Sequence, residues 1–166
     1  MRRLIWPVLF VLLMLLQGVI TVFWTGWISF DLLLVALYAY SMLRGEVAGA
    51  IMGLGVGFFQ DALTVNVFGF HMLSRTLIGL VVGLTKEKVF KENITYHLCS
   101  IVLISFILRM VFLLVELIRS GGHWNIIGTF LWETLGYIVG NTLLVIPIMI
   151  LVKQIYYWIR KEDISY

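Results

Sequence analysis

The chain has 166 residues, 61% of them hydrophobic and 13% charged, with a mean hydropathy of +1.03. Domains that fold in water are nearer half apolar and a quarter charged, so this composition excludes an ordinary soluble domain and makes lipid the solvent. A net charge of +3 does not mark a nucleic-acid surface, because the lysines and arginines stand at the ends of apolar runs rather than in a patch.

Six apolar segments follow one another, and each is read as a transmembrane helix, since about 20 residues at helical rise cross the hydrocarbon core. The first, 4–23, follows Arg2 and Arg3. It resembles a secretory signal, but its apolar stretch is too long and no small-x-small cleavage site follows, so it is expected to be retained. The second and third, 28–43 and 47–63, are short and meet at Arg44-Gly45-Glu46, which suits a tight helical hairpin. The third carries Gly49, Gly53 and Gly57 at four-residue spacing. The fourth, 67–85, has Gly79 and Gly83 at the same spacing. The fifth covers 98–117. The sixth, 126–152, contains Gly136 and Gly140 and is longer than one crossing needs, so it is tilted or continues into the cytoplasm as a helix. Strands are not expected, because no segment alternates polar with apolar residues. Helices in lipid associate by close van der Waals approach, so these glycines are read as packing positions within the chain before any partner is invoked.

Positive charge sets the orientation. Arg2, Arg3, Arg44, Lys86, Lys88, Lys91, Lys153, Arg160 and Lys161 all fall on one side, leaving only Arg119 opposite, with Arg75 and Arg109 inside spans. Six spans with both termini cytoplasmic are therefore expected. Trp24, Trp27 and Trp124 then lie at the outer interface, and Trp6, Tyr156, Tyr157 and Trp158 near the inner one, as aromatic belts do. Residues 1–166 read as a single integral membrane domain with no room for a soluble catalytic unit.

Polar residues concentrate in "GFFQDALTVNVFGFHMLSR" (Gly57–Arg75), which holds Gln60, Asp61, Asn66, His71, Ser74 and Arg75. A charge at mid-bilayer costs on the order of 3 kcal/mol by insertion scales, so each such group needs a partner or a wet recess. Asp61, His71, Arg75, Arg109, Glu116 and Glu133 all fall in the outer half of their helices. Helical spacing aligns His71 with Arg75, and Glu133 with Tyr137 and Asn141. Arg75 with Asp61 or Glu133, and Arg109 with Glu116 or Glu133, are the pairings the sequence allows. Together they form either an outward-facing recess for a small molecule or an ion-pair network that fixes helix register, and the second is preferred.

Asp61, His71 and Ser74 supply the residue types of a hydrolytic triad, but no nucleophile-elbow pattern surrounds Ser74. Asp61 and His71 have no third metal ligand at helical spacing, and His97 and His123 fall at opposite membrane faces as interfacial histidines. Cys99, the single cysteine, is expected to pack as a small apolar residue. No catalytic residue, metal or cofactor is assigned.

The stretch "GAIMGLGVGFFQDALTVNVFGFHMLSRTLIGLVVGL" (Gly49–Leu84) resembles the rod shape-determining MreD family of bacteria: a glycine-rich helix, Gln-Asp near its end, a short loop, Gly-x-His-x-Leu, then a second glycine-spaced helix. "FDLLLVALYAYSMLRGE" (Phe30–Glu46) resembles that family's preceding helix, with Phe30 where the family often has proline before the aspartate that is here Asp31. The last two helices match in hydropathy alone. The resemblance implies a non-enzymatic multi-pass protein of the bacterial cytoplasmic membrane that serves cell elongation and peptidoglycan synthesis. Implied partners are MreC directly, and RodA, a penicillin-binding transpeptidase and the MreB filament directly or indirectly. The six-helix arrangement also resembles the substrate-binding S components of energy-coupling-factor vitamin transporters, the alternative function. Against that alternative, 4–23 contains none of the alanines by which S components meet their coupling subunit.

Overall fold

The computed structural model describes residues 4–24, 26–63, 69–85, 93–119 and 127–163, the last four as backbone alone. Arg2, Arg3, Asn66, Lys86, Lys88, Lys91, His123, Trp124 and the side chains of Arg160 and Lys161 lie outside it. The described chain is helical: α1 Ile5–Phe23, α2 Leu32–Arg44, α3 Glu46–Leu63, α4 Phe70–Leu84, α5 Ile94–Arg119 and α6 Ile127–Asp163.

The centre of the bundle is α2. Every residue from Leu32 to Leu43 is buried, as expected of a helix that is apolar on all sides. Its neighbours α1, α3, α4 and α6 pack around it. The helix begins four residues later than the apolar run that contains it. Asp31 caps it, accepting the Leu34 backbone N–H at 2.9 Å, and satisfies one of the donors a helix start leaves open. Residues 28–30 before it are not helical. The helix stops at Gly45, where φ of 94° reverses the chain into α3. Glycine tolerates that backbone at no steric cost.

The glycines divide by what they meet. A Cβ at Gly53 would fall under 3.0 Å from the Arg75 carbonyl, one at Gly57 equally close to the His71 carbonyl, and those at Gly49 and Gly79 would strike each other's backbone. Gly83 meets the backbone of Glu46 in the same way. The α3–α4 hairpin is thus closed backbone to backbone along its length, the arrangement that small residues permit in lipid. Gly136 and Gly140 serve a different neighbour. They seat the carbonyls of Trp27 and Ser29, so α6 accommodates a nonhelical strand of backbone there instead of a second helix.

Trp6 and Phe10 anchor α1 against Tyr40 of α2, with ring centroids 4.8 and 6.0 Å apart. Trp6 is consequently a core residue, its ring packed between α1 and α2. Helix α5 starts four residues earlier than expected, and α6 runs to Asp163, eleven residues past the expected end of the sixth segment. Among the described residues, three helical stretches are long and apolar enough to cross a membrane: Ile5–Phe23, Ile94–Arg119 and Ile127–Ile159. Their outward faces carry exposed Leu12, Leu15, Leu103, Ile107, Leu143 and Ile150, a surface suited to hydrocarbon and not to water.

Gly53→Ala and Gly57→Ala should each destabilise the fold by about 1–3 kcal/mol through overpacking. Gly55, whose Cβ would meet nothing within 4 Å, should tolerate alanine and gain up to about 1 kcal/mol of helix propensity. Melting temperatures in detergent decide between these outcomes, and equal loss in all three variants would place the contact elsewhere.

Candidate functional site: a buried polar junction

The polar residues converge on Asp31, at the tip of the central helix. Its carboxylate caps α2 through one oxygen, while the other forms an ion pair with Arg75 of α4 and accepts the Tyr137 hydroxyl of α6 at 2.7 Å. The Asp31 backbone N–H donates to Asn141 Oδ1 at 2.9 Å, and Asn141 Nδ2 donates onward to Ser105 Oγ of α5 at 3.1 Å. Arg75 Nε donates to Gln60 Oε1 of α3 at 3.1 Å. Five of the six helices therefore meet in one hydrogen-bonded cluster. Arg75, Asn141 and Ser105 are 0% exposed. A carboxylate and a guanidinium removed this far from water are each costly alone, and the neutral, multiply bonded pair is the form in which burial is tolerated.

This arrangement corrects the pairing expected for Arg75. Its acid is Asp31, and neither Asp61 nor Glu133 fills that place, for a geometric reason in each case. Asp61 is occupied as the cap of α4. Its oxygens accept the backbone N–H groups of Gly69 at 2.9 Å, His71 at 3.0 Å and Met72 at 2.9 Å. The first turn of a helix offers those donors, and a carboxylate there is also favoured by the helix dipole. Gly69, with φ of 95°, makes the turn into that cap. Gln60-Asp61 thus splits its work: Gln60 reaches Arg75, and Asp61 locks the end of α3 onto the start of α4.

Glu133 pairs with Arg109, whose Nη2 lies 3.2 Å from Glu133 Oε2 and whose Nε donates to Thr134 Oγ1 at 3.2 Å. The guanidinium also stands 4.2 Å from the centre of the Phe130 ring, a cation–π contact. The Glu133 side chain is 66% exposed and Arg109 18%, so this second pair sits at the surface of the bundle. Glu116, two turns along α5 from Arg109, is partly buried.

Residue types that suggested hydrolysis do not assemble a triad. His71 meets Asp61 through its backbone N–H and not its ring, and Ser74 Oγ donates to the His71 carbonyl at 3.3 Å. The ring atom His71 Nδ1 and Arg75 Nη1 are buried with no hydrogen-bond partner among the described residues. His97 is buried in the bundle, and its Nδ1 lies 2.9 Å from the Tyr38 hydroxyl of α2. Cys99 faces outward and is exposed. Among the described residues no three His, Cys, Asp or Glu side chains group as a metal site would require. Asp31, Ser105 and the bonding roles of Tyr137 and Asn141 have no counterpart among the site residues expected from the sequence. The available signal was Asp31 itself, a capping residue type directly before an uninterrupted apolar run.

Asp31→Asn should destabilise the protein by about 3–5 kcal/mol, because it strands the buried Arg75 charge. Glu133→Gln should cost less, since Glu133 is 66% exposed and Arg109 keeps its contacts with Thr134 and the Phe130 ring. Thermal unfolding in one detergent compares the two directly, and similar losses would contradict the difference in burial.

A family model described as rod shape-determining protein MreD matches residues 1–155. No curated protein and no solved structure matches the chain. The match includes both helical hairpins and all the residues of the Asp31 junction. The chain belongs to the MreD family of rod shape-determining proteins.

Proposed function

We propose that this protein is a non-enzymatic membrane scaffold of the rod-shape machinery. In this reading residues 1–166 form one integral domain that crosses the cytoplasmic membrane six times, with both termini inside. It binds MreC directly and supports lateral peptidoglycan synthesis alongside RodA, a penicillin-binding transpeptidase and the MreB filament. Membership of a shape-determining family supports the role. The observation that carries the scaffold reading is the burial of the polar junction: Arg75, the most costly group to bury, is 0% exposed and bonded through Nη2 to Asp31 and through Nε to Gln60, with Nη1 alone unpartnered among the described residues. Polar side chains spent on one another fix helix register, which a scaffold needs and a substrate site does not.

Helix α2, at 13 residues, is about 20 Å long and shorter than the hydrocarbon core. Its full burial supports a place inside the bundle, where neighbouring helices shield its ends. A vitamin-binding S component is the second reading, and the lack of alanine over Leu4–Phe23 weighs against it.

Expression of the chain in rod-shaped cells depleted of their own family member should restore rod shape, and tagged protein should retain MreC through detergent extraction. Gly57→Leu, which drives bulk into the α3–α4 contact, should lose both. Wild-type protein that restores shape without retaining MreC would remove the direct-partner assignment. Reporter fusions within Arg44–Glu46 should read cytoplasmic, and an external reading would reverse the topology.

A further inference from the structure

The helices fall into groups of unequal tightness. The α3–α4 pair is zipped by glycines backbone to backbone. The α5–α6 pair is joined by Arg109 to Thr134 and Glu133 and by Ser105 to Asn141. Between α4 and α5, by contrast, runs a groove of about 420 Å³, walled by Leu73, Leu77 and Val81 on one side and Ile104, Ile107 and Val111 on the other. None of its lining residues is glycine or alanine. At the Asp31 end it is bridged by Phe70 and Phe112, with ring centroids 5.6 Å apart.

Composition makes this seam the weak one. Branched aliphatic side chains gain almost as much from lipid tails as from one another, so separating α4 from α5 in a bilayer forfeits little. Separating α3 from α4 would forfeit close backbone contact. Beyond the packing of α3 and α4 along the side of α2, where Gly49 lies close over Ser41, the pair is tied to the rest at the two ends of α2. At one end is the covalent turn at Gly45, with φ of 94°. At the other, some 20 Å away by helical rise, Arg75 reaches across to Asp31, the same carboxylate that holds Tyr137 of α6.

From these placements we propose that the α3–α4 pair is a rigid body that swings about the Gly45 turn and opens the α4/α5 seam laterally, with the Asp31–Arg75–Tyr137 contact as its latch. A few residues at an element's end suffice to absorb such a rotation. The groove walls are apolar apart from Ser74, whose hydroxyl donates within its own helix, so the polar cost of opening falls on the latch alone. The latch sets how far the seam stands open, because the ion pair is the polar link from α4 to the residue that α6 also grips. Phe70 and Phe112 close the same end by ring contact alone.

The test is electron-paramagnetic distance measurement on the full chain in lipid nanodiscs, in a Cys99→Ser background because Cys99 is exposed and would take label. Spin labels replace Leu73 and Val111, exposed on opposite walls of the seam, and in a separate control Ile51 and Leu80, exposed on the two members of the zipped pair. The seam distance should be broad or two-peaked, and should move toward longer values in Asp31→Asn. Tyr137→Phe, which keeps both charges and removes one hydrogen bond, should move it in the same direction by less. The control distance should remain narrow throughout. A seam distance as narrow as the control in wild type and in Tyr137→Phe overturns the proposal, even if Asp31→Asn fails to fold. Broadening of the control together with the seam overturns it too, because the pair would then not move as one body.

Discussion

One carboxylate organises the bundle. Asp31 ends the run of chain entering the central helix, caps that helix and neutralises Arg75, while Tyr137 shares its oxygen and Asn141 holds its backbone. In lipid this concentration has a physical basis. Apolar faces have little preference for one another over acyl chains, so orientation among helices must come from close packing and from polar bonds. Here the two devices occupy different places. Glycines set the distance between α3 and α4, and the Asp31 cluster sets how that pair, α5 and α6 are disposed around α2.

The cluster also accounts for the local irregularities of the chain. Residues 28–30 stay out of helical form although they continue an apolar run. That segment lies against α6, where Gly136 and Gly140 leave room for the carbonyls of Trp27 and Ser29. Trp27 adds a hydrogen bond to the Trp132 carbonyl and stacks on the Trp132 ring at 4.8 Å. A helix continued back through Ile28 would remove Asp31 from the capping position and deprive Arg75 of its counter-charge. The buried charge therefore dictates where α2 begins.

Much of the helical plan was legible, because apolar runs punctuated by charge are a strong signal. The Arg44-Gly45-Glu46 turn and the glycine spacing of α3 and α4 could be read as they stand. Two features could not. Spacing identified Gly136 and Gly140 as sites of close approach without saying that the approaching group was nonhelical backbone. Long-range pairing was less accessible still: Arg75 had two plausible acids near it in depth, and the one it takes was hidden at the edge of a segment assigned to helix. The surroundings of His97 were hidden for a similar reason: its place near a helix end gives no sign that the side chain turns inward to Tyr38. Depth along a helix axis can be estimated from sequence, but azimuth about that axis cannot be fixed until neighbours are known.

The complete enclosure of α2 bears on how the protein is made. At about 20 Å it is too short to cross some 30 Å of hydrocarbon unaided. It leaves the ribosome with Asp31 exposed at its leading edge. The arginine that neutralises this aspartate follows 44 positions later, and the tyrosine 106 positions later. The junction around Asp31 therefore cannot close until the fourth and sixth helices have been made, and a chain truncated before Arg75 would hold an unneutralised acid at the start of a helix too short to span.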